Sequence, residues 1–471
     1  MLKPLVFIPG HPGSELIDND WMRKIWPSLR TLLDDKERLL ERLKGPQDPD
    51  EVDGVFAGPP IRRVAKLAFI DVSKQAITLY RLLEDLGYDL SEEEHVKPLG
   101  WDWRKPVYGA QAQTDLRWAI KTLFERFDRP VTLLVHSTGG LVARAFLERV
   151  AVTEPELLEM VEEVIALGVP WAGTVKPVRV VGLGEAVAGG FISATEARDA
   201  LGHSHAAYDI MPVGRQQIAL PGEQPPPLFL DENGDQADAR ALGTRWLKPA
   251  FRPYATRSQA MMSARTARLQ LSGHELKVTN LAGWGRETDT QARVQPGRGN
   301  PRLVITQSDL GDGTVPWKSA GWLRGATVQT FTIPWGSYGG AAATGVHSQL
   351  WAAPSAREIL EQRLRETSRT PFVWVAMDAD DLLHSRKKVR YRVVGLDPDG
   401  LPLDAGKAFF ARVGSRKEGK KAPLDGWGRA TLTFSRTSQS PPENRFYTPV
   451  VVEWKYEGKA FSRRFDLSFL V

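Results

Sequence analysis

Through the first 370 residues, short apolar runs of strand length alternate with amphipathic stretches of helix length, and this rhythm restricts the fold more than any other feature. Residues 5–8, 95–99, 131–135, 161–167, 275–281 and 327–333 read as strands. Residues 72–87, 114–127, 139–150 and 354–367 place their apolar side chains three and four apart and read as helices, the first stopping on Gly87. Strands that are apolar throughout, rather than on alternate residues, belong in a sheet covered on both faces. The pattern therefore predicts an α/β fold with a mostly parallel sheet.

Two regions break the rhythm. Residues 170–270 are rich in glycine, proline and isolated aromatics, with three prolines at 225–227 and a turn-like stretch from Asp231 to Gly234, and read as a cap or lid inserted over the sheet. From residue 371 the chain changes to β-rich runs at 372–376, 389–394, 408–413, 430–434, 448–455 and 461–470, with turns such as Asp397-Pro398-Asp399-Gly400 between them. An all-β sandwich over 371–471, following an α/β domain over 1–369, is the expected arrangement. Residues 371–471 carry 18 Lys and Arg against 12 Asp and Glu, whereas the preceding 370 carry 44 against 45, so the net charge of +5 belongs to the tail. Such a tail would suit an anionic membrane surface or an acidic glycan, though an uneven solvated face has the same composition. No nucleic-acid partner is expected. No run approaches the roughly 18–20 apolar residues of a membrane span, and the N-terminus lacks a signal-peptide pattern, which makes a cytoplasmic location the default expectation.

Cysteine is absent, so disulfides, thiolate metal sites and a cysteine nucleophile are excluded together. A hydroxyl nucleophile fits residues 133–144, where an apolar strand runs into Ser137, then Thr138, Gly139 and Gly140, then a helix. This is the context of a nucleophile elbow, with helix amides aimed where an oxyanion would form. Val135 stands where that motif has its first glycine, and a glycine-rich turn with an incidental serine would look similar in isolation. On such a sheet the order along the chain is Ser, then acid, then His. Of the eight histidines, His11, His95 and His136 precede Ser137, His203, His205 and His274 lie in or beside the insertion, and His384 lies in the tail. His347, after the last strand and a glycine-rich loop, remains as the base. The acid belongs to the cluster at 309–316, with Asp312 preferred and Asp309 in reserve.

Five blocks, IPGHPGSEL at 8–16, WDWR at 101–104, VHSTGG at 135–140, LGVPWAGT at 167–174 and GDGTVP at 311–316, resemble the lecithin:cholesterol acyltransferase family, over about residues 1–365. The resemblance implies an α/β-hydrolase fold with a cap and lid, acting on acyl esters of lipids through an acyl-enzyme, with no metal or cofactor. It assigns Ser137 as nucleophile, Asp312 as acid, His347 as base, and the backbone amides of His11 and Thr138 as the oxyanion hole. Pro12 has no N–H to offer in place of His11. The resemblance also brings Trp101, Asp102, Trp103, Pro170 and Trp171 near the pocket, although Asp102 and Arg104 flanked by tryptophans equally suit an ion pair in a packed core. Secreted members of the family hold the lid with a disulfide, and this chain must use packing. The expected function is a serine acyl hydrolase; acyl transfer to an alcohol and an idle scaffold acting as a binding protein are the alternatives.

Overall fold

The computed structural model describes residues 2–21, 23–61, 75–90, 95–186, 192–214, 224–241, 246–262, 265–296, 301–325, 327–334, 347–365, 372–377, 388–396, 408–413, 420–423, 429–435, 445–456 and 459–470. Every strand run expected in the first 370 residues is a strand of one six-stranded sheet, ordered Val328–Pro334, Lys277–Trp284, Val161–Leu167, Val131–His136, Leu5–Ile8, Val96–Pro98. Registers are parallel from Val96–Pro98 through to Lys277–Trp284, for example Leu5 with Thr132 and Ala166 with Asn280.

The reason is burial on both faces. Leu5–Ile8 and Val131–His136 are buried along their whole lengths. Alternate residues Val6, Ile8, Leu133, Val135, Val164 and Ala166 share one core with Leu116 and Ile120 of the helix Ala110–Phe127 and Val142 and Phe146 of the helix Gly139–Thr153. The intervening Leu5, Phe7, Leu134 and Ile165 are equally buried and point the other way. Each such side chain contributes about 1.5–3 kcal/mol of burial. Among the described residues no helix is long and apolar enough to cross a membrane.

Other elements left no such run in the sequence. Ser14–Asp18, Arg23–Trp26 and Val55–Pro60 form a small antiparallel sheet, and Thr288–Gln295 pairs antiparallel with Arg302–Ser308 while Phe229–Leu230 joins its other edge. These strands are part-exposed and carry polar residues on one face, so their apolar signal is halved. The region expected as an insertion contains the helices Lys176–Leu183, Ala194–Gly202, His205–Asp209 and Arg252–Met262. Ala194–Gly202 starts on a capping box, Ser193 with Glu196. These helices surround a second core of Val178, Val181, Tyr208, Phe229, Phe251 and Tyr254, which also takes in Ala292, Val294 and Leu303 from the hairpin beyond residue 270.

The chain divides into two compact units, Leu2–Thr330 with Thr344–Leu350, and Phe331–Ala343 with Trp351–Val471. The second unit contains the helix Pro354–Leu364 and, from Phe372 to Leu470, strands in one three-stranded and one four-stranded sheet with antiparallel neighbours. The expected helix residues 72–74 and 366–367, the turn at 397–400, the boundary at 370–371, His384 and the glycine-rich segment before His347 lie outside the described residues.

Candidate active site

The Val131–His136 strand ends one residue before Ser137, whose φ is +52°, and the helix Gly139–Thr153 begins two residues after it. A serine in this left-handed conformation costs roughly 1–2 kcal/mol. Its amide donates to the Leu167 carbonyl at 2.9 Å and its carbonyl accepts from the Gly140 amide at 3.0 Å, which fixes the turn. The approach on either side is too close for side chains. A Cβ on Gly10 would fall 2.6 Å from Ser137 Cβ and 3.2 Å from its Oγ, and one on Gly139 would fall 2.4 Å from the Ile8 carbonyl oxygen. Val135, at the motif's missing glycine, is accommodated opposite the small side chain of Ala166.

His347 and Asp312 meet Ser137 there. His347 Nδ1 lies 2.7 Å from Asp312 Oδ2, and His347 Nε2 lies 2.9 Å from Ser137 Oγ. Asp312 is fully buried, and its Oδ1 accepts from the amides of Thr314 at 3.0 Å and Val315 at 2.8 Å. The two ring nitrogens of His347 thus face Asp312 and the Ser137 hydroxyl at once. The His347 amide also donates to the Asp312 carbonyl at 3.0 Å. Gly168, at φ +59°, backs this pair, since a Cβ there would come within 3.0 Å of Asp312 Oδ2 and 3.1 Å of His347 Nδ1. Asp309, the reserve acid, is part-exposed and contributes its carbonyl to the Gly285 amide at 3.0 Å. The three segments around 137, 312 and 347 fall within one compact unit.

The remaining expected residues divide by partner. His11 follows Gly10 directly. Its ring stands edge-on to Trp103 with centroids 5.0 Å apart, and burial pushes its pKa down to about 4, so the ring is neutral. Thr138 is buried at the start of the helix. Trp101 Nε1 donates to the Pro9 carbonyl at 2.9 Å and its amide to Ser14 Oγ at 3.0 Å, which anchors the loop ending at His11. Trp103 Nε1 donates to the Ser14 carbonyl at 3.2 Å. Asp102 is taken up by Arg104, part of a buried ion network with Asp53. Pro170 accepts the Gly173 amide at 2.9 Å, and Trp171 Nε1 donates to Asn280 Oδ1 at 3.1 Å. Thus Trp101 and Trp103 border the loop beside Ser137, whereas Asp102 and Trp171 spend their polar atoms on the framework. Sequence reasoning passed over Gly10 and Gly168 as close-approach positions, and over His136, whose ring contacts the His347 segment. Among the described residues no group of three or more His, Asp or Glu is placed to hold a metal ion.

Comparison with known proteins adds a partial match to one family. Residues 55–239 match the family model for lecithin:cholesterol acyltransferase, a range that contains Ser137 and stops short of Asp312 and His347. Lysosomal phospholipase A and acyltransferase of Homo sapiens is 28% identical over 212 residues, which is 39% of this chain and 50% of that protein. Its counterpart in Canis lupus familiaris is 28% identical over 214 residues, with the same shares. Human phosphatidylcholine-sterol acyltransferase is 29% identical over 211 residues, 39% of this chain and 47% of that protein. The chain spans about half the length of the curated relatives it matches. Among solved structures, the Tle4–Tli4 complex matches with a TM-score of 0.46 and 17% identity over 70% of this chain and 91% of that one. Residues 55–239, which include the turn at Ser137, are thus similar to the lecithin:cholesterol acyltransferase family.

Proposed function

We propose that the chain is a serine acyl hydrolase acting on acyl esters of lipids, with Ser137 as nucleophile, His347 as base and Asp312 as the acid that orients it. The unbroken run of hydrogen bonds from Asp312 Oδ2 through both ring nitrogens of His347 to Ser137 Oγ carries this reading. His347 Nε2 takes the hydroxyl proton as Oγ attacks the ester carbonyl, and Asp312 stabilises the imidazolium. The amides of His11 and Thr138 receive the developing oxyanion. On collapse the alcohol departs with the proton from His347 and leaves the acyl group on Ser137. Water then releases the acid, or an alcohol receives the acyl group. The names of the matched relatives, a phospholipase A and acyltransferase and a sterol acyltransferase, support a lipid substrate and keep acyl transfer as the second reading. The same reading treats residues 371–471 as a β-sandwich domain with a basic surface for anionic membranes, supported by the antiparallel sheets and the charge count.

A fluorophosphonate probe should label Ser137 and no other residue, as mapped by peptide mass spectrometry. Absence of labelling would favour the idle scaffold. Incubation with mixed phospholipid vesicles, with and without a long-chain alcohol, separates the two enzymatic outcomes: free fatty acid alone means hydrolysis, and an alcohol-dependent ester means transfer.

A further inference from the structure

We infer that His136, the residue before Ser137, is a positioning residue that ties the base segment and the oxyanion loop to the nucleophile turn; this rests on the assignment of Ser137 and His347 made above. His136 is 1% exposed, and its Nε2 lies 2.9 Å from the backbone carbonyl oxygen of His347. A carbonyl only accepts, so His136 carries its proton on Nε2. The other end of the ring faces the opposite wall, since a Cβ built on Gly10 would lie 3.3 Å from His136 Nδ1. One side chain therefore fills the space between Gly10, beside the oxyanion loop, and the main chain of His347.

Besides the contact of its Nε2 with Ser137 Oγ, the base is held at three points. Its amide donates to the Asp312 carbonyl at 3.0 Å, its Nδ1 meets Asp312 Oδ2 at 2.7 Å, and its carbonyl accepts from His136. The first two contacts share one partner residue, Asp312. The third, reaching across 211 positions of sequence, comes from the strand that presents Ser137 and fixes the main chain of the base segment relative to that strand. The rings of His136 and His347 are 4.9 Å apart. That spacing is compatible with a proton on His347 only while His136 stays neutral, and a neutral ring donating Nε2–H meets the requirement.

Two experiments on the full-length protein test this. In His136→Leu, which fills much of the space without a donor, kcat on a soluble p-nitrophenyl ester should fall up to about a hundredfold, the scale of an ångström-sized misplacement, with KM little changed. His136→Gln, whose side-chain amide can reach the same carbonyl, should recover most of that loss at equal melting temperature. Equal kcat in His136→Leu and the parent, or no recovery by the folded Gln variant, would overturn the positioning role. Nitrogen-15 NMR of histidine-labelled parent protein provides a readout that needs no folded variant: it should show His136 as the Nε2–H tautomer, and the Nδ1–H tautomer would overturn the proposal. Failure of the underlying reading shows up separately, as persistent turnover in Ser137→Ala, which leaves the His136 tautomer untouched.

Discussion

Two polar networks, one around Arg104 and one ending at Ser137, are built on opposite rules. Arg104, whose side chain is fully buried, has each guanidinium nitrogen engaged: Nε and Nη2 by Asp102 at 3.0 and 2.7 Å, Nη1 and Nη2 by Asp53 at 2.7 and 3.2 Å, and Nη1 by the Arg42 carbonyl at 2.9 Å. Its carboxylate partners hold its pKa above the ordinary arginine value despite burial. The Ser137 network is a line instead of a cage. It is closed at Asp312, where two amides and an imidazole fill the carboxylate, and it ends at the hydroxyl of a residue in a left-handed turn. A closed cage of charges fixes the fold, whereas a line ending at a strained hydroxyl has an end that can react.

The sharpest way to break this contrast is to cut the line at its reactive end. Ser137→Ala should lower hydrolysis of a short p-nitrophenyl ester by at least about a thousandfold, while the melting temperature stays close to that of the parent. Asp312→Asn, which reverses the tautomer preference of His347, should cost nearly as much, and Asp309→Asn should stay within a few-fold. Comparable losses in the two asparagine variants would remove Asp312 from its assigned role.

Cutting the cage should do the reverse. Arg104→Met leaves the part-buried Asp53 and Asp102 without their cation, and breaking a buried pair in this way costs at most about 3–5 kcal/mol of stability. Urea titration should record that loss, while kcat/KM of the remaining folded protein on the soluble ester changes only a few-fold. A stable but inactive Arg104→Met would make the network part of the chemistry.

This difference also explains what could be read from the chain alone. The strands Leu5–Ile8 and Val131–His136 were legible because they are buried on both faces, and Ser137 and His347 were legible because the strand order leaves few positions for them. Asp312 was already preferred over Asp309, two residues of loop away, and the geometry adds that its carboxylate is the one beside His347 Nδ1. The small sheet at Ser14–Asp18 and the hairpin at Thr288–Gln295 were missed because one face of each meets solvent or polar neighbours and no continuous run forms. His136 was invisible for another reason: its partner is a backbone carbonyl, which has no sequence signature.

Acid should act on both regions through histidines that are buried uncharged. Burial, reinforced by the nearby His347, holds the pKa of His136 at about 3, and burial holds that of His205 at about 4, against 6.5 for the free side chain. The unfolded chain binds these protons near pH 6.5 and the folded chain does not, so folding stability is full above that pH and declines as pH falls toward 3–4. Each residue steepens the decline by up to about 1.4 kcal/mol per pH unit. Urea melts at pH 7, 6 and 5 should show this slope, and His205→Gln should flatten it. A slope unchanged in that variant would mean that His205 is protonated in the fold.

The smallest expected effect is the most informative about how the framework supports the reactive end. Trp101→Phe removes one hydrogen bond, from Nε1 to the Pro9 carbonyl at 2.9 Å. Pro9 precedes Gly10, which rests against Ser137, and His11, whose amide is the assigned oxyanion donor. Losing the bond should cost about 0.5–1.5 kcal/mol of stability and let that amide drift. A donor that engages only the developing oxyanion contributes to kcat and not to substrate binding, so kcat and kcat/KM should fall together, by about tenfold or less, with KM unchanged. Trp322→Phe is the control, because Trp322 Nε1 donates to the Gln224 carbonyl at 3.1 Å and belongs to the same buried core. It should lose similar stability with no change in kcat. If both tryptophan variants lowered kcat alike, the loss would reflect general loosening of the core, and the anchoring of the 9–11 loop by Trp101 would have no special bearing on the reaction.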